Sequence, residues 1–214
     1  MYDDRFKERI LPKISALFWD VGGVLLSNAW DHSERLQTLN HFLLSEAEFH
    51  DRHETVVASF EEGKITLDEY LDRTVFYRER SFTRQAFKDD MFFQSQADNE
   101  ALALARELAA SGKYLMSTIN NESRELNLFR IKKFGLDGIF SLFVSSCFVG
   151  LRKPEAAIYK LALEITQKPP QECCFIDDRS QNLEIPKQLG MQVVQMKGTP
   201  QLRQELQKLG VLSS

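Results

Sequence analysis

The chain has 214 residues, of which 43% are hydrophobic; that suffices to bury the core of one domain, or of a domain carrying an insert. Its net charge of −4, with 27% charged residues, offers no basic surface for nucleic acid or for an anionic membrane. No window reaches the roughly 18 consecutive apolar residues a membrane span needs, and the charged N-terminus MYDDRFKERILPK lacks the apolar centre of a signal peptide. Cys147, Cys173 and Cys174 are an odd set without zinc-type spacing, which points to reduced thiols and a cytoplasmic location.

In chain order, the first apolar run is Ser15–Trp19, which stops at Asp20 and is followed by Val21-Gly22-Gly23. From about Trp30 to Gln96 the pattern turns helical, with no convincing strand. Ser33 is the expected N-cap of a helix through Leu44, Thr66-Leu67-Asp68-Glu69 has the form of a capping box opening a helix through Tyr77, and Thr83 starts another to about Phe93. Beyond it, the apolar runs Lys113–Met116, Ile139–Ser145, Glu172–Ile176 and Gln192–Met196 read as buried parallel strands. They alternate with helical patterns over Glu100–Ala110, Glu122–Phe134, Glu155–Gln167 and Leu183–Leu189, and the tail Gln201–Leu209 reads as a short, solvated polar helix. Strand alternating with helix implies a Rossmann-like, doubly wound parallel sheet. The expected division is an α/β core of residues 1–28 and 97–214 and an α-helical cap of residues 29–96. An insert after the first strand would sit over the carboxyl ends of the strands, where ligands bind in such sheets.

Polar residues stand where the apolar runs stop: Asp20, Ser117, the pair Asp177-Asp178, and Lys153 beyond the third run. Converging on one crevice, they suit phosphoryl transfer. A carboxylate attacks phosphorus, a divalent cation held by carboxylates offsets the repulsion, and an ammonium and a hydroxyl hold the phosphoryl oxygens. Taken singly, Asp20 could cap a turn, Ser117 a helix, and Lys153 be a solvated lysine. His32, His41, His50 and His53 lack metal-site spacing and read as surface or hydrogen-bonded histidines.

These residues resemble the four ordered motifs of the haloacid dehalogenase-like (HAD) hydrolase superfamily. Asp20-Val21-Gly22-Gly23-Val24 is similar to the first, Leu115-Met116-Ser117 to the second, Gly150 through Tyr159 to the third, and Phe175 through Asn182 to the fourth. Glu62-Gly63-Lys64-Ile65-Thr66 resembles part of a C1-type helical cap, and the subgroup resembled includes sugar-phosphate phosphatases and the phosphatase domain of soluble epoxide hydrolase. The resemblance implies a magnesium-dependent hydrolase acting on a small phosphorylated metabolite through an aspartyl-phosphate. It implies Asp20 as nucleophile and metal ligand, with Ser117 and Lys153 completing the catalytic set. Ser117, Thr118, Asn120 and Lys153 would hold the phosphoryl group; Asp178, Asp177 and the Gly22 backbone carbonyl would join Asp20 on magnesium. Oligomeric state is not legible.

One position departs from the pattern. Family phosphatases carry a second aspartate two residues after the nucleophile to protonate the leaving oxygen, and here that position is Gly22. Three readings follow: a phosphatase of easily departing groups such as anomeric or acyl phosphates, a catalytically weakened binding or regulatory module, or a dehalogenase, whose halide product needs no proton.

Overall fold

The structure, a computed structural model, describes residues 13–213; the charged N-terminal stretch 1–12 lies outside the described residues. Five parallel strands form one sheet: β1 (Ala16–Trp19), β2 (Leu115–Asn120), β3 (Leu142–Ser145), β4 (Cys173–Asp177) and β5 (Gln192–Gln195), in the order β3-β2-β1-β4-β5. β1 is the middle strand and is buried along its whole length. Trp19 pairs with Thr118 on one side and Ile176 on the other, so Asp20 emerges at the centre of the sheet's carboxyl edge. Between β1 and β2 lie α1 (His32–His41), α2 (Glu46–Glu54), α3 (Val57–Glu61), α4 (Leu67–Thr74), α5 (Arg84–Phe93) and α6 (Asn99–Ala110). After β2 come α7 (Arg124–Phe134), α8 (Ser146–Val149), α9 (Ala156–Thr166), α10 (Ser180–Gln188) and α11 (Thr199–Lys208). No described helix is long and apolar enough to cross a membrane.

The apolar residues separate into three clusters. One face of the sheet packs Leu17, Trp19 and Ile176 against α6 and α11; the other packs Phe18, Ile119 and Phe175 against Ile158 and Tyr159 of α9. The helical insert has its own aromatic centre, with Trp30, Phe49, Phe60, Tyr70 and Phe87 buried together and Leu126 of α7 closing the underside. The insert leaves and rejoins the core at one point: Ser27 N donates to Gln96 O (2.8 Å), Gln96 N donates to Ser27 Oγ (3.0 Å), and Ser27 Oγ donates to Gln94 O (2.6 Å).

Several sequence expectations hold and several are corrected. The Thr66 capping box is formed with Glu69, and Thr83 caps α5. Asp31, not Ser33, precedes α1; the Ser33 hydroxyl turns to Glu34 instead. Two further helices, α2 and α3, lie between the expected ones, and the helix opened by Thr66 ends at Thr74 rather than Tyr77. The strand expected to stop at Met116 runs on to Asn120, because Thr118 and Ile119 are β-branched and bury well in a pleated ladder. α11 is not a solvated helix: Leu202 and Leu206, one turn apart, are fully buried against the sheet.

Candidate active site

Asp20 takes its position from the sheet and its orientation from two donors. Its N–H continues the ladder to Ile176 O (2.8 Å). Its carboxylate Oδ1 accepts from the Val21 N–H (2.8 Å) and from Lys153 Nζ (2.8 Å), and the residue is 8% exposed. The loop beyond it closes as a tight turn, with Leu25 and Leu26 N–H on Val21 O and Gly23 N–H on Leu26 O. Gly23 has φ 69°, and a β-carbon there would lie 2.3 Å from Asp178 Oδ2. Only glycine fits both the backbone and the neighbour.

Lys153 arrives from the loop between α8 and α9, and Asn121 fixes its backbone on both sides. Lys153 N donates to Asn121 Oδ1 (2.8 Å), and Asn121 Nδ2 donates to Lys153 O (3.0 Å). The buried ammonium bridges Asp20 and Asp177 Oδ2 (2.6 Å). Burial works against its charge, but the two carboxylates prevail and its pKa is raised. Asp177 is fully buried and saturated: Lys153, the Arg179 N–H (2.8 Å) and Asn182 Nδ2 (3.0 Å) all donate to it. Asp178 is different: its Oδ1 is buried without a hydrogen-bond partner among the described residues.

Asp20, Asp177 and Asp178 bring ligand oxygens within 4.8 Å of one another. Lys153 pairs with two of these carboxylates, Asp20 and Asp177, and makes no ion pair with Asp178. Burial pushes the Asp20 carboxyl up to about 7, with Lys153 opposing and Asp177 adding to the rise. Burial and the Asp177 charge raise Asp178 as well. The orphaned Asp178 oxygen and this excess of negative charge suit a bound divalent cation. The Gly22 carbonyl accepts no backbone hydrogen bond among the described residues.

The other sequence-nominated residues are placed differently. Ser117 is not at a strand end: it lies inside β2, fully buried, and its hydroxyl donates to Thr118 O (3.3 Å). Thr118 is also fully buried, with its Oγ1 unpartnered, and Asn120 is held by Asn127 and Ser145. None of the three lines the crevice over Asp20, whereas Asn121 does. The polar position at the end of the second strand is therefore Asn120-Asn121, three residues later than the apolar run suggests.

The crevice encloses about 270 Å³ between the sheet edge and the insert. Its walls include residues that sequence reasoning did not nominate, among them Asn28, Arg35, His53, Glu122 and Arg130. Glu122 is buried, which raises its pKa, and it pairs with Arg130 (2.8 Å). Two ion pairs link insert to core across the crevice: Asp31 with Arg179 (2.5 Å) and Glu61 with Arg152 (2.6 Å). Nothing in a lone Arg or His marks such residues in a sequence; their roles come from which helix face turns inward.

Known proteins resemble the chain in sequence and in fold. D-ribitol-5-phosphate phosphatase of Bacteroides thetaiotaomicron is 26% identical over 211 residues, 90% of this chain and 97% of that protein. Bifunctional epoxide hydrolase 2 of Sus scrofa is 25% identical over 215 residues, 92% of this chain; the match spans only 39% of that longer protein. A HAD family enzyme of Bacteroides thetaiotaomicron superposes with a TM-score of 0.76 at 22% identity, covering 86% of this chain and 94% of that one, and has also been solved in complex with magnesium and inorganic phosphate. The family model for haloacid dehalogenase-like hydrolases matches residues 14–190. A buried aspartate at the sheet's centre, locked to a lysine and flanked by an acidic pair, thus sits in a matching sequence frame, and the chain belongs to the haloacid dehalogenase-like hydrolases.

Proposed function

We propose that this hydrolase is a magnesium-dependent phosphatase of small phosphorylated metabolites, working through an aspartyl-phosphate on Asp20. The observation that carries the reading is the buried Asp20–Lys153–Asp177 bridge beside an unpartnered Asp178 oxygen. The relatives named as phosphatases, and a structural neighbour solved with magnesium and phosphate, point the same way.

Each residue has a definable part. Lys153 and the Val21 N–H fix one Asp20 oxygen, leaving Oδ2 without a donor among the described residues. An Asp20 oxygen bonds to phosphorus as the ester P–O bond breaks, and the leaving oxygen departs with the electron pair. Water then attacks the phosphorus of the acyl-phosphate, releasing phosphate and restoring the carboxylate. Lys153 offsets charge on the phosphoryl oxygens, and Asn121 keeps it in place. Asp177 is committed to Lys153 and Asn182, so Asp20, Asp178 and the Gly22 carbonyl are the set that would hold magnesium. When bound, that cation offsets the repulsion between carboxylate and phosphoryl group. No side chain at position 22 can give the leaving oxygen a proton, a service worth about 10²–10⁴ in rate. The reading therefore favours esters whose leaving group departs easily, such as anomeric or acyl phosphates.

A screen of phosphorylated metabolites with magnesium tests this. Hydrolysis is expected to vanish in Asp20→Asn, and calorimetry is expected to show magnesium binding that weakens in Asp178→Asn. A silent screen with no magnesium binding would replace the phosphatase by a binding module, and halide release from 2-chloropropionate would replace it by a dehalogenase.

A further inference from the structure

The crevice contains five cationic side chains, and four have carboxylate partners. Lys153 bridges Asp20 and Asp177, Arg130 meets Glu122, Arg152 meets Glu61, and Arg179 meets Asp31. The fifth is Arg35, half-buried on α1. Among the described residues it makes no ion pair, and its guanidinium donates only to the Trp30 carbonyl (2.6 Å). A guanidinium has five N–H donors and keeps its charge throughout the physiological range. Arg35 lines the crevice, and among the described residues no carboxylate lies within ion-pairing distance of its guanidinium.

His53 stands on the same wall, 3% exposed, and its tautomer follows from hydrogen-bond accounting. The Trp30 indole N–H can only donate, and it donates to Tyr70 Oη (2.9 Å). Tyr70 is fully buried, so its hydroxyl proton needs an acceptor, and the one within reach is His53 Nδ1 at 2.7 Å. Nδ1 therefore accepts, the ring proton sits on Nε2, and that N–H has no partner among the described residues. Burial first, then the Arg35 charge, holds the imidazole's pKa down to about 3. At physiological pH the ring is a neutral donor beside a bare cation. Both groups come from the insert, whereas Asp20 and Lys153 come from the core.

We propose that Arg35 and the His53 Nε2–H form a second oxyanion-binding point, so that the substrate is a phosphate ester whose leaving group carries a further anionic group. This rests on the phosphatase reading and narrows its substrate class. One anionic group meets Lys153, and the second completes the coordination that Arg35 lacks. A charge-assisted, partly desolvated hydrogen bond of this kind is expected to change affinity by about tenfold or more.

Three hexose phosphates make the test, since all carry the same anomeric phosphate. Glucose 1-phosphate is neutral at C6, glucuronic acid 1-phosphate carries a carboxylate there, and glucose 1,6-bisphosphate a second phosphate. Calorimetry on Asp20→Asn with magnesium is expected to show at least one anionic ligand binding about tenfold tighter than glucose 1-phosphate; which one separates carboxylate from phosphate. Arg35→Gln, in the same background, is expected to bring that ratio near one, and Arg35→Lys, which keeps the charge, to retain part of it. His53→Phe, which removes the donor, is expected to lower the ratio as well. Equal binding of all three ligands, or a ratio untouched by Arg35→Gln, overturns the proposal. A preference in binding with no hydrolysis by the wild-type protein would remove the phosphatase reading and leave the anion site standing; hydrolysis without any preference would do the reverse.

Discussion

A β-carbon built on Gly22 meets Asn28 Oδ1 at 3.0 Å, and the next nearest atom is Asn28 Cα at 3.6 Å. The close neighbour is the far end of a flexible side chain, and the backbone at Gly22 is not left-handed. Gly22→Asp is therefore expected to fold and to raise kcat for esters with a poor leaving group, such as glucose 6-phosphate, by about 10²–10⁴, with a smaller change for glucose 1-phosphate. Equal rates for the wild-type protein and Gly22→Asp in steady-state assays, with magnesium bound, would sink the missing-acid explanation. The adjacent glycine has no such latitude, since its β-carbon would enter the Asp178 carboxylate. At this scale the sequence was informative where chemistry and backbone geometry coincide: Asp20, Lys153 and the acidic pair were legible because charged residues ended apolar runs. Ser117 misled for the same reason. A hydroxyl is polar enough to look like a strand end yet small enough to bury within a ladder, and the residue that grips Lys153, Asn121, lay beyond a second apolar position, Ile119.

The contact between insert and core rests on short stretches of backbone. Gly63, with φ 68°, places its would-be β-carbon 2.4 Å from the Cys147 carbonyl oxygen in α8. The same approach lets Ser146 Oγ donate to Glu61 O (2.6 Å) and sets Glu61 against Arg152. Gly63→Ala must shift one backbone against the other, and it adds the left-handed cost of about 1–2 kcal/mol. It is expected to lower Tm by several degrees or more in a chain of this size. It is expected to raise KM about tenfold or more, because the insert's wall of the crevice moves. Thermal unfolding and steady-state kinetics on the one variant separate the two effects; a loss of stability with KM intact would show that the loop packs without positioning. Helices were legible here in proportion to their apolar faces. α4, with Leu67, Tyr70, Leu71 and Thr74 buried behind a capping box, was evident. α2 escaped because Phe49 and His53 alone turn inward from a polar nine-residue segment, and α3 is too short to carry a period. The same turn of α2 that hid it from periodicity is what aims His53 at the crevice.

Across the whole molecule, the parallel sheet was legible because its strands are apolar on both faces, while the way the insert lies over them was not, since no local pattern records it. The insert runs out and back between residues that touch, Ser27 and Gln96. For the core, that junction makes the intervening helices equivalent to a short turn: the ends to be joined are already joined. A chain in which residues 29–94 are replaced by a short Gly-Ser linker is expected to unfold in one cooperative transition, with a urea m-value reduced in step with the lost surface. Magnesium should still bind it through Asp20 and Asp178, whereas any distinction between neutral and anionic hexose phosphates should be gone. Loss of magnesium binding by the shortened, folded chain would show that the metal site depends on the insert. Folding of that shortened chain would make the roof of the crevice a removable part, held at its base by a serine and a glutamine that touch. A different helical segment, spliced in at that clasp, could give the same floor of carboxylates and lysine a new choice of substrate without rewriting a single strand.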